Sequence, residues 1–311
     1  MKTAVIVGYK GQDGQLLFNL LKQTCSVIGI GKNTVSAHNH DWEHRVDIKK
    51  YCNVSKLIKA VKPDYVYYLA AYHHSSSDNI KSEPDLDKFS FDINVSAFLN
   101  FLISVKQFSP ATKIFYAASC HVFGVPVSIP QSETTPMFPD SAYGITKKFG
   151  LKLCDHFRLN HNIYASAGIL YNHESSMRPN KFISKKIVDT AIQISRGIKT
   201  KLVIGDVDIQ VDWGHAGDYV KAMKNILDLN ESSNFIISSG RQESLKNFIA
   251  ASFDYFNLDW LEHTIIDPSK LTRKPVKGLC GDSSKLYNAT GWSSKNNLKD
   301  LARLMISEIY E

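Results

Sequence analysis

The sequence predicts an α/β fold: a doubly wound parallel sheet with a smaller C-terminal α/β unit. Three observations predict it. Short β-branched or aromatic runs alternate with amphipathic helical stretches through the first half of the chain. The first of these runs ends in a glycine-rich turn that opens a helix. Beyond about residue 170 the pattern becomes shorter and less regular. Strands separated by helices form right-handed crossovers, so they line up in parallel and are covered on both faces.

In order, the strand signals lie at 3–7, 26–30, 65–69, 113–117 and 164–169. The helical signals lie at 14–22, 54–61, 91–106 and 143–160. Residues 126–140 hold four of the ten prolines and read as a loop over a site. A basic helical stretch follows at 178–196, then a short strand at 201–204 and a helix at 218–227. The tail from Gln242 mixes short helices with loops, and neither an internal repeat nor a low-complexity tract occurs.

Composition narrows the classes. The 311 residues are 43% hydrophobic and 22% charged, ordinary for a globular protein. No stretch approaches the ~20 apolar residues of a membrane span, and the N-terminal apolar run is too short for a signal peptide. A cytoplasmic protein without a membrane partner is expected. Five scattered cysteines without a Cys-x-x-Cys pair argue against a disulfide framework and a zinc site, so most read as small buried hydrophobes. The net charge of +7 comes from dispersed lysines such as Lys56, Lys59 and Lys62, a solvated helix face. Nucleic acid is therefore not the expected partner, whereas a diphosphate-bearing small substrate suits the positive field.

The chemistry concentrates in two places. Gly8-Tyr-Lys-Gly11-Gln-Asp-Gly14 stands between the first strand and the first helix. Such a turn lets the backbone approach a pyrophosphate at a helix N-terminus, so Gly8, Gly11, Gln12, Asp13 and Gly14 are candidate dinucleotide contacts. An acid after the second strand would hold the ribose hydroxyl of NAD. Here Lys32 and Thr34 stand instead, which favours the 2′-phosphate of NADP, with NAD as the alternative. Asp47 and Ile48 sit where the adenine amino group would be met. The second place is Tyr143-Gly-Ile-Thr-Lys147, with Ser119 some two dozen residues earlier. Tyr and Lys four apart share a helix face. The ammonium, with a positive nicotinamide ring, lowers the tyrosine pKa so that it takes a hydroxyl proton, while Ser119 orients the reacting oxygen.

With these residues placed, the chain resembles the extended short-chain dehydrogenases with their Rossmann-type sheet, and more narrowly the GDP-mannose 4,6-dehydratase group. The resemblance covers nearly the whole chain. It is carried by Gly11-Gln-Asp-Gly14, Leu69-Ala-Ala71, Gln131-Ser-Glu-Thr-Thr-Pro136, Gly168-Ile-Leu-Tyr-Asn-His-Glu-Ser175 and Asp212-Trp-Gly-His-Ala-Gly-Asp-Tyr-Val220. Gly281-Asp-Ser-Ser-Lys285 with Gly291-Trp292 adds a C-terminal match. It implies a dinucleotide-binding domain over 1–170, with Leu69, Ala70 and Ala71 also at the cofactor. A mainly substrate-binding domain spans 171–311, with about 205–240 returning to the first. It also implies a GDP-sugar substrate and a homodimer or homotetramer.

The resemblance implies a reaction as well. Sugar C4 is oxidised, the acidified C5 proton is removed by a glutamate, water leaves from C6, and hydride returns to C6. That glutamate lies two residues after the catalytic Ser or Thr, where this chain has His121. Imidazole is a base near neutral pH, so dehydration stays open beside reduction, C4 oxidation or epimerisation, as does a His121 that takes no part in the chemistry. A non-catalytic dinucleotide sensor is the rival from another class. The family arginine before Asp-Trp-Gly-His is also missing, with Gln210-Val211 in its place. Arg178, Lys181, Lys185 and Arg273 are the candidates to supply that charge. Asn172 matches the family asparagine at the substrate phosphate, and His74 is a candidate for the sugar site. His73, His74, His173 and His215 share no helical face, so no metal is expected. The four tryptophans read as core.

Overall fold

Lys2–Val7 bury four apolar side chains in succession and form β1, and the glycine turn hands the chain directly to α1 (Gln12–Leu21). The structure is a computed structural model and describes residues 1–72, 83–270 and 278–310. The chain continues through β2 (Cys25–Ile30), β3 (Val35–His38), α2 (Tyr51–Val61), β4 (Tyr65–Tyr68), α3 (Glu83–Phe91), one π-helical turn at Asp92–Ser96 and α4 (Ala97–Phe108). Next come β5 (Lys113–Ser119), a 3-10 turn at Cys120–Phe123, α5 (Ala142–His161), β6 (Ala165–Leu170) and β7 (His173–Glu174). Then follow α6 (Ile183–Ser195), β8 (Leu202–Ile204), β9 (Gln210–Asp212), β10 (Gly214–His215), α7 (Ala216–Asp228) and β11 (Asn234–Ile237). The chain closes with β12 (Gln242–Ser244), α8 (Leu245–Asp254), α9 (Trp260–His263), β13 (Thr264–Ile266), α10 (Ser284–Thr290) and α11 (Leu298–Tyr310).

Seven strands form the main sheet in the order β11-β6-β5-β4-β1-β2-β3. Its pairs are parallel except the last, where β3 runs antiparallel to β2. The link between those two is only Gly31–Thr34, closed by the Gly31 N–H donating to the Thr34 carbonyl at 2.8 Å. So short a link makes a hairpin and cannot make a crossover. The edge strand β3 buries none of its residues, which is why no hydrophobic signature announces it. Elsewhere the register brings the carboxyl ends together. Val7 pairs with both Ile30 and Tyr68, and Tyr68 pairs with Tyr116. Gly8 and Leu69 therefore leave the sheet along one edge, and β5 runs on against β6 to end at Ser119 on the same side, where open parallel sheets bind ligands.

Helices cover both faces. One core joins Val54, Leu57 and Ile58 of α2, Phe98, Phe101 and Leu102 of α4, and Leu151, Cys154 and Phe157 of α5. The other joins Leu17 and Leu21 of α1 to Tyr219, Val220, Met223 and Ile226 of α7. A third core lies apart, among α6, β8, α8 and α11, with Phe248 and Phe253 at its centre. Four cysteines are buried, whereas Cys52 is exposed. Trp42, Trp213 and Trp292 are buried as expected.

Two helices differ from the sequence pattern. The stretch expected at 91–106 starts earlier, as α3, and is interrupted by the π turn before α4. The stretch expected from 178 begins only at Ile183. Pro179 disfavours a helical Arg178, and the Arg178 side chain is engaged elsewhere, as described below. Among the described residues no helix is long and apolar enough to cross a membrane.

Candidate active site

β5, the 3-10 turn and α5 bring the candidate catalytic residues together. Ser119, the last residue of β5, is buried and its hydroxyl accepts from the His121 N–H at 3.3 Å, capping the turn. α5 starts at a proper cap, the Ser141 hydroxyl accepting from the Gly144 N–H at 3.2 Å. Gly144 is required because a Cβ there would lie 2.5 Å from the His121 carbonyl oxygen. Six residues further along the helix, a Cβ on Gly150 would fall 2.1 Å from the Tyr116 ring. These two glycines let α5 press against β5 and its turn. That contact carries Tyr143 and Lys147 over the strand end, and the Tyr143 and His121 rings meet edge-on, 5.9 Å apart.

Lys147 is wholly buried, its Nζ donating to the Ala117 carbonyl at 2.6 Å. The ammonium lies 4.9 Å from the Tyr116 ring centre and 5.7 Å from that of Tyr143. Burial pulls its pKa down to about 7. Burial likewise pushes the Tyr143 hydroxyl above its ordinary value, with a Ser119 hydrogen bond working the other way. The sequence argument has the lysine charge lowering the tyrosine pKa. In the protein alone desolvation dominates at Tyr143, and the opposing pull comes from the Ser119 hydrogen bond and the Arg178 charge.

The glycine turn has room for a phosphate. Gly8 adopts φ +92°, open to glycine, and a Cβ there would meet Ala70 N at 2.7 Å, so the turn rests directly on Leu69 and Ala70. Gly14 is closed in the same way, 2.4 Å from the Gly8 carbonyl oxygen. At Gly11 an added Cβ would meet only the Gly8 carbonyl oxygen, at 3.4 Å, which leaves that backbone open at the start of α1. The fit to a dinucleotide pyrophosphate is good. Lys32 and Thr34 are exposed on the β2–β3 hairpin. Asp47 accepts from the Lys49 N–H at 3.1 Å, and the Ile48 carbonyl accepts from Asn100 at 3.0 Å, so that loop is tied to α4.

Gln12 and Asp13 do something the motif did not reveal. Their side chains are committed to the segment after β6. Gln12 Nε2 donates to the His173 carbonyl at 3.1 Å, and its Oε1 accepts from the Ser175 hydroxyl at 2.8 Å. Asp13 faces His173 Nε2 at 2.9 Å, while His173 Nδ1 faces the Tyr171 carbonyl at 2.6 Å. Two acceptors, one at each ring nitrogen, require both nitrogens to carry protons, so His173 is an imidazolium. Asp13 holds the His173 pKa above its ordinary value against the pull of burial and of Arg178. The imidazolium in turn draws the Asp13 carboxyl down to about 2 against the cost of burial.

The candidate substrate cations fare differently. Arg178 is spent on Glu174, at 3.0 Å and 3.3 Å, and on the His173 carbonyl at 3.0 Å. Lys185 pairs with Asp189 one turn along α6. Lys181 is exposed, its Nζ 5.9 Å from the Phe182 ring centre. Asn172 is exposed, and its carbonyl accepts from the Gly214 N–H at 2.9 Å, pairing the two family segments. His74 and Arg273 lie outside the described residues. The sequence reading missed Asn94, fully buried in the π turn. Its Oδ1 accepts from the Tyr72 N–H at 3.0 Å, and its Nδ2 donates to Ser90 at 3.1 Å and to Thr146 at 3.0 Å. It thereby joins the loop after β4 to the catalytic helix. Single π turns mark functional sites often enough to have been a signal, but nothing in the sequence announces one.

Sheet, glycine turn and the Ser–Tyr–Lys group define an enzyme of the short-chain dehydrogenase/reductase type. A family model described as GDP-mannose 4,6 dehydratase matches residues 5–305. The chain belongs to the GDP-mannose 4,6-dehydratase family. GDP-mannose 4,6 dehydratase 1 of Arabidopsis thaliana is 30% identical, over 100% of this chain and 90% of that protein. The GDP-mannose 4,6-dehydratase of Yersinia enterocolitica is 26% identical, over 99% and 93%. Among solved structures, RMD from Pseudomonas aeruginosa complexed with NADPH superposes with a TM-score of 0.82 at 19% identity, over 99% of this chain and 98% of that one. The dTDP-glucose 4,6-dehydratase of Bacillus anthracis, in complex with NAD, gives 0.81 at 16%, over 99% and 96%. At such identities the two structures speak for the fold.

Proposed function

We propose that the protein is an NADP-dependent enzyme acting at C4 of a GDP-sugar, opening its reaction by oxidation at C4 in the manner of a 4,6-dehydratase. The observation that carries this reading is the Tyr143 hydroxyl held beside buried Lys147 and Ser119 at the end of β5, with the His121 ring against it. Gly8, Gly11 and Gly14 with Leu69–Ala71 cradle the dinucleotide, and Lys32 and Thr34 face its 2′ end. When bound, that cofactor accepts and returns a hydride. Tyr143 takes the C4 hydroxyl proton, Ser119 orients the oxygen, and Lys147 keeps a positive charge next to the phenol once ligands complete the site. NAD is the alternative cofactor.

His121 stands where the family has its glutamate, so it is the acid or base of the product-defining step. As imidazole it removes the C5 proton and elimination follows. As imidazolium it gives a proton to a reduced or epimerised centre. The second behaviour defines the alternative reading, a 4-keto-sugar reductase, 4-dehydrogenase or epimerase, and the missing carboxylate favours it. Incubation with NADP and GDP-mannose or a GDP-manno-heptose, followed by mass spectrometry of the product, separates them. Loss of one water supports the dehydratase. A product altered by two hydrogens, or an isomer of unchanged mass separated from the substrate by chromatography, supports the redox or epimerising reading, and substrate recovered unaltered means that the sugar is a different one. A Tyr143→Phe protein that retains its full biological effect would mean a sensor instead.

A further inference from the structure

Lys10 lies inside the glycine turn, between Gly8 and Gly11, and its side chain has a definite course. Its Cγ passes 3.3 Å from where a Cβ on Gly31 would stand, at the carboxyl end of β2. Its ammonium lies 5.2 Å from the centre of the Tyr9 ring. That ring is itself fixed. It lies on the backbone of β2, where a Cβ on Gly29 would come within 2.5 Å of its Cγ. Its hydroxyl is 3.4 Å from Thr34 Oγ1, and its face meets Phe18 with centroids 6.1 Å apart. Gly29 and Gly31 thus make room for two side chains of the turn, and Tyr9 acts as a bracket that keeps a lysine at the end of β2. Asp13, the nearest acid along the chain, is taken by His173.

A dinucleotide whose pyrophosphate rests on the glycine turn puts its adenosine ribose over the end of the second strand. There an ammonium lying beside the Tyr9 ring meets the 2′ position. We propose that Lys10 is the residue that selects a 2′-phosphorylated dinucleotide, with Lys32 in a supporting role. This rests on the dinucleotide reading given above. Lys10 and Lys32 are both exposed, but Lys10 lies along Tyr9 and Gly31, so it surrenders less side-chain freedom to grip a phosphate than a lysine on the hairpin tip. The contact is a charge-assisted hydrogen bond to a dianion, among the stronger kinds.

The test is equilibrium binding to the full-length protein, followed by tryptophan fluorescence, with NADPH, NADH and 2′-phospho-ADP-ribose as probes. Wild type is expected to prefer NADPH. Lys10→Met should weaken NADPH and 2′-phospho-ADP-ribose by about 10- to 100-fold while changing NADH by less than about twofold. Lys10→Arg should keep the preference, and Lys32→Met should reduce it less than Lys10→Met does. The inference falls if Lys10→Met leaves the preference intact, or if Lys32→Met alone removes it. Tight NADH binding without preference in wild type would sink the inference and spare the dinucleotide reading. Binding of neither NADPH nor NADH would sink both.

Discussion

At the residue scale the site turns on groups whose charge is set by burial. On the proposed reading, Tyr143→Phe removes the group that takes the C4 hydroxyl proton, and should lower turnover by at least about 10²-fold, read as hydride transfer by nicotinamide absorbance. His121→Gln should leave that first transfer measurable in a single turnover while blocking product release from the sequence, read by mass spectrometry. Equal loss of both steps would remove His121 from the product-defining role. The Asp13–His173 pair carries a pH signature. Asp13 is depressed from 3.8 to about 2, so its stabilisation is present above 3.8 and is lost as pH falls through about 2. His173 is raised above 6.5, so its share is present below 6.5 and is lost as pH rises through its folded value. Asp13→Asn should therefore destabilise by about 2 kcal/mol near pH 6, the low end for a partly solvated buried pair. The loss should be smaller near pH 9. Urea unfolding at both values measures this, and a pH-independent difference would mean the pair is not ionic.

At the element scale, α5 owes its position to small residues. Gly150→Ala would drive a methyl to 2.1 Å from the Tyr116 ring. It should destabilise by about 1–3 kcal/mol through overpacking. By tilting α5 it should also lower kcat more than it raises KM, because Tyr143 and Lys147 ride on that helix. Thermal unfolding and steady-state kinetics on the same variant read both effects. The alternation of strands and helices made α1, α2, α5 and the five long strands legible, since each repeats an apolar period against the sheet. β3, the π turn and the late start of α6 were not legible. They depend on a hairpin too short to cross over, on Asn94 finding partners in two other elements, and on Arg178 being claimed by Glu174.

At the scale of the whole molecule, three cores share the work, and the third, around Phe248 and Phe253, is remote from the sheet. We propose that it belongs to the substrate-binding part of the chain. Phe253→Ala should cost about 3–5 kcal/mol in stability by opening a cavity. If that part melts separately, the variant will unfold in two steps by calorimetry. A single sharp transition shifted as a whole would show one cooperative unit. Five strands of the sheet, the glycine turn and the Ser119, Tyr143 and Lys147 group could be read from the residues alone, because period, turn chemistry and a helical four-residue spacing are local properties. The partners of Gln12, Asp13 and Arg178, the hold of burial on Lys147 and Tyr143, and the place of Lys10 at the end of β2 came with the closed fold. Those outcomes join residues far apart in the chain, and desolvation exists only once the fold has closed around them.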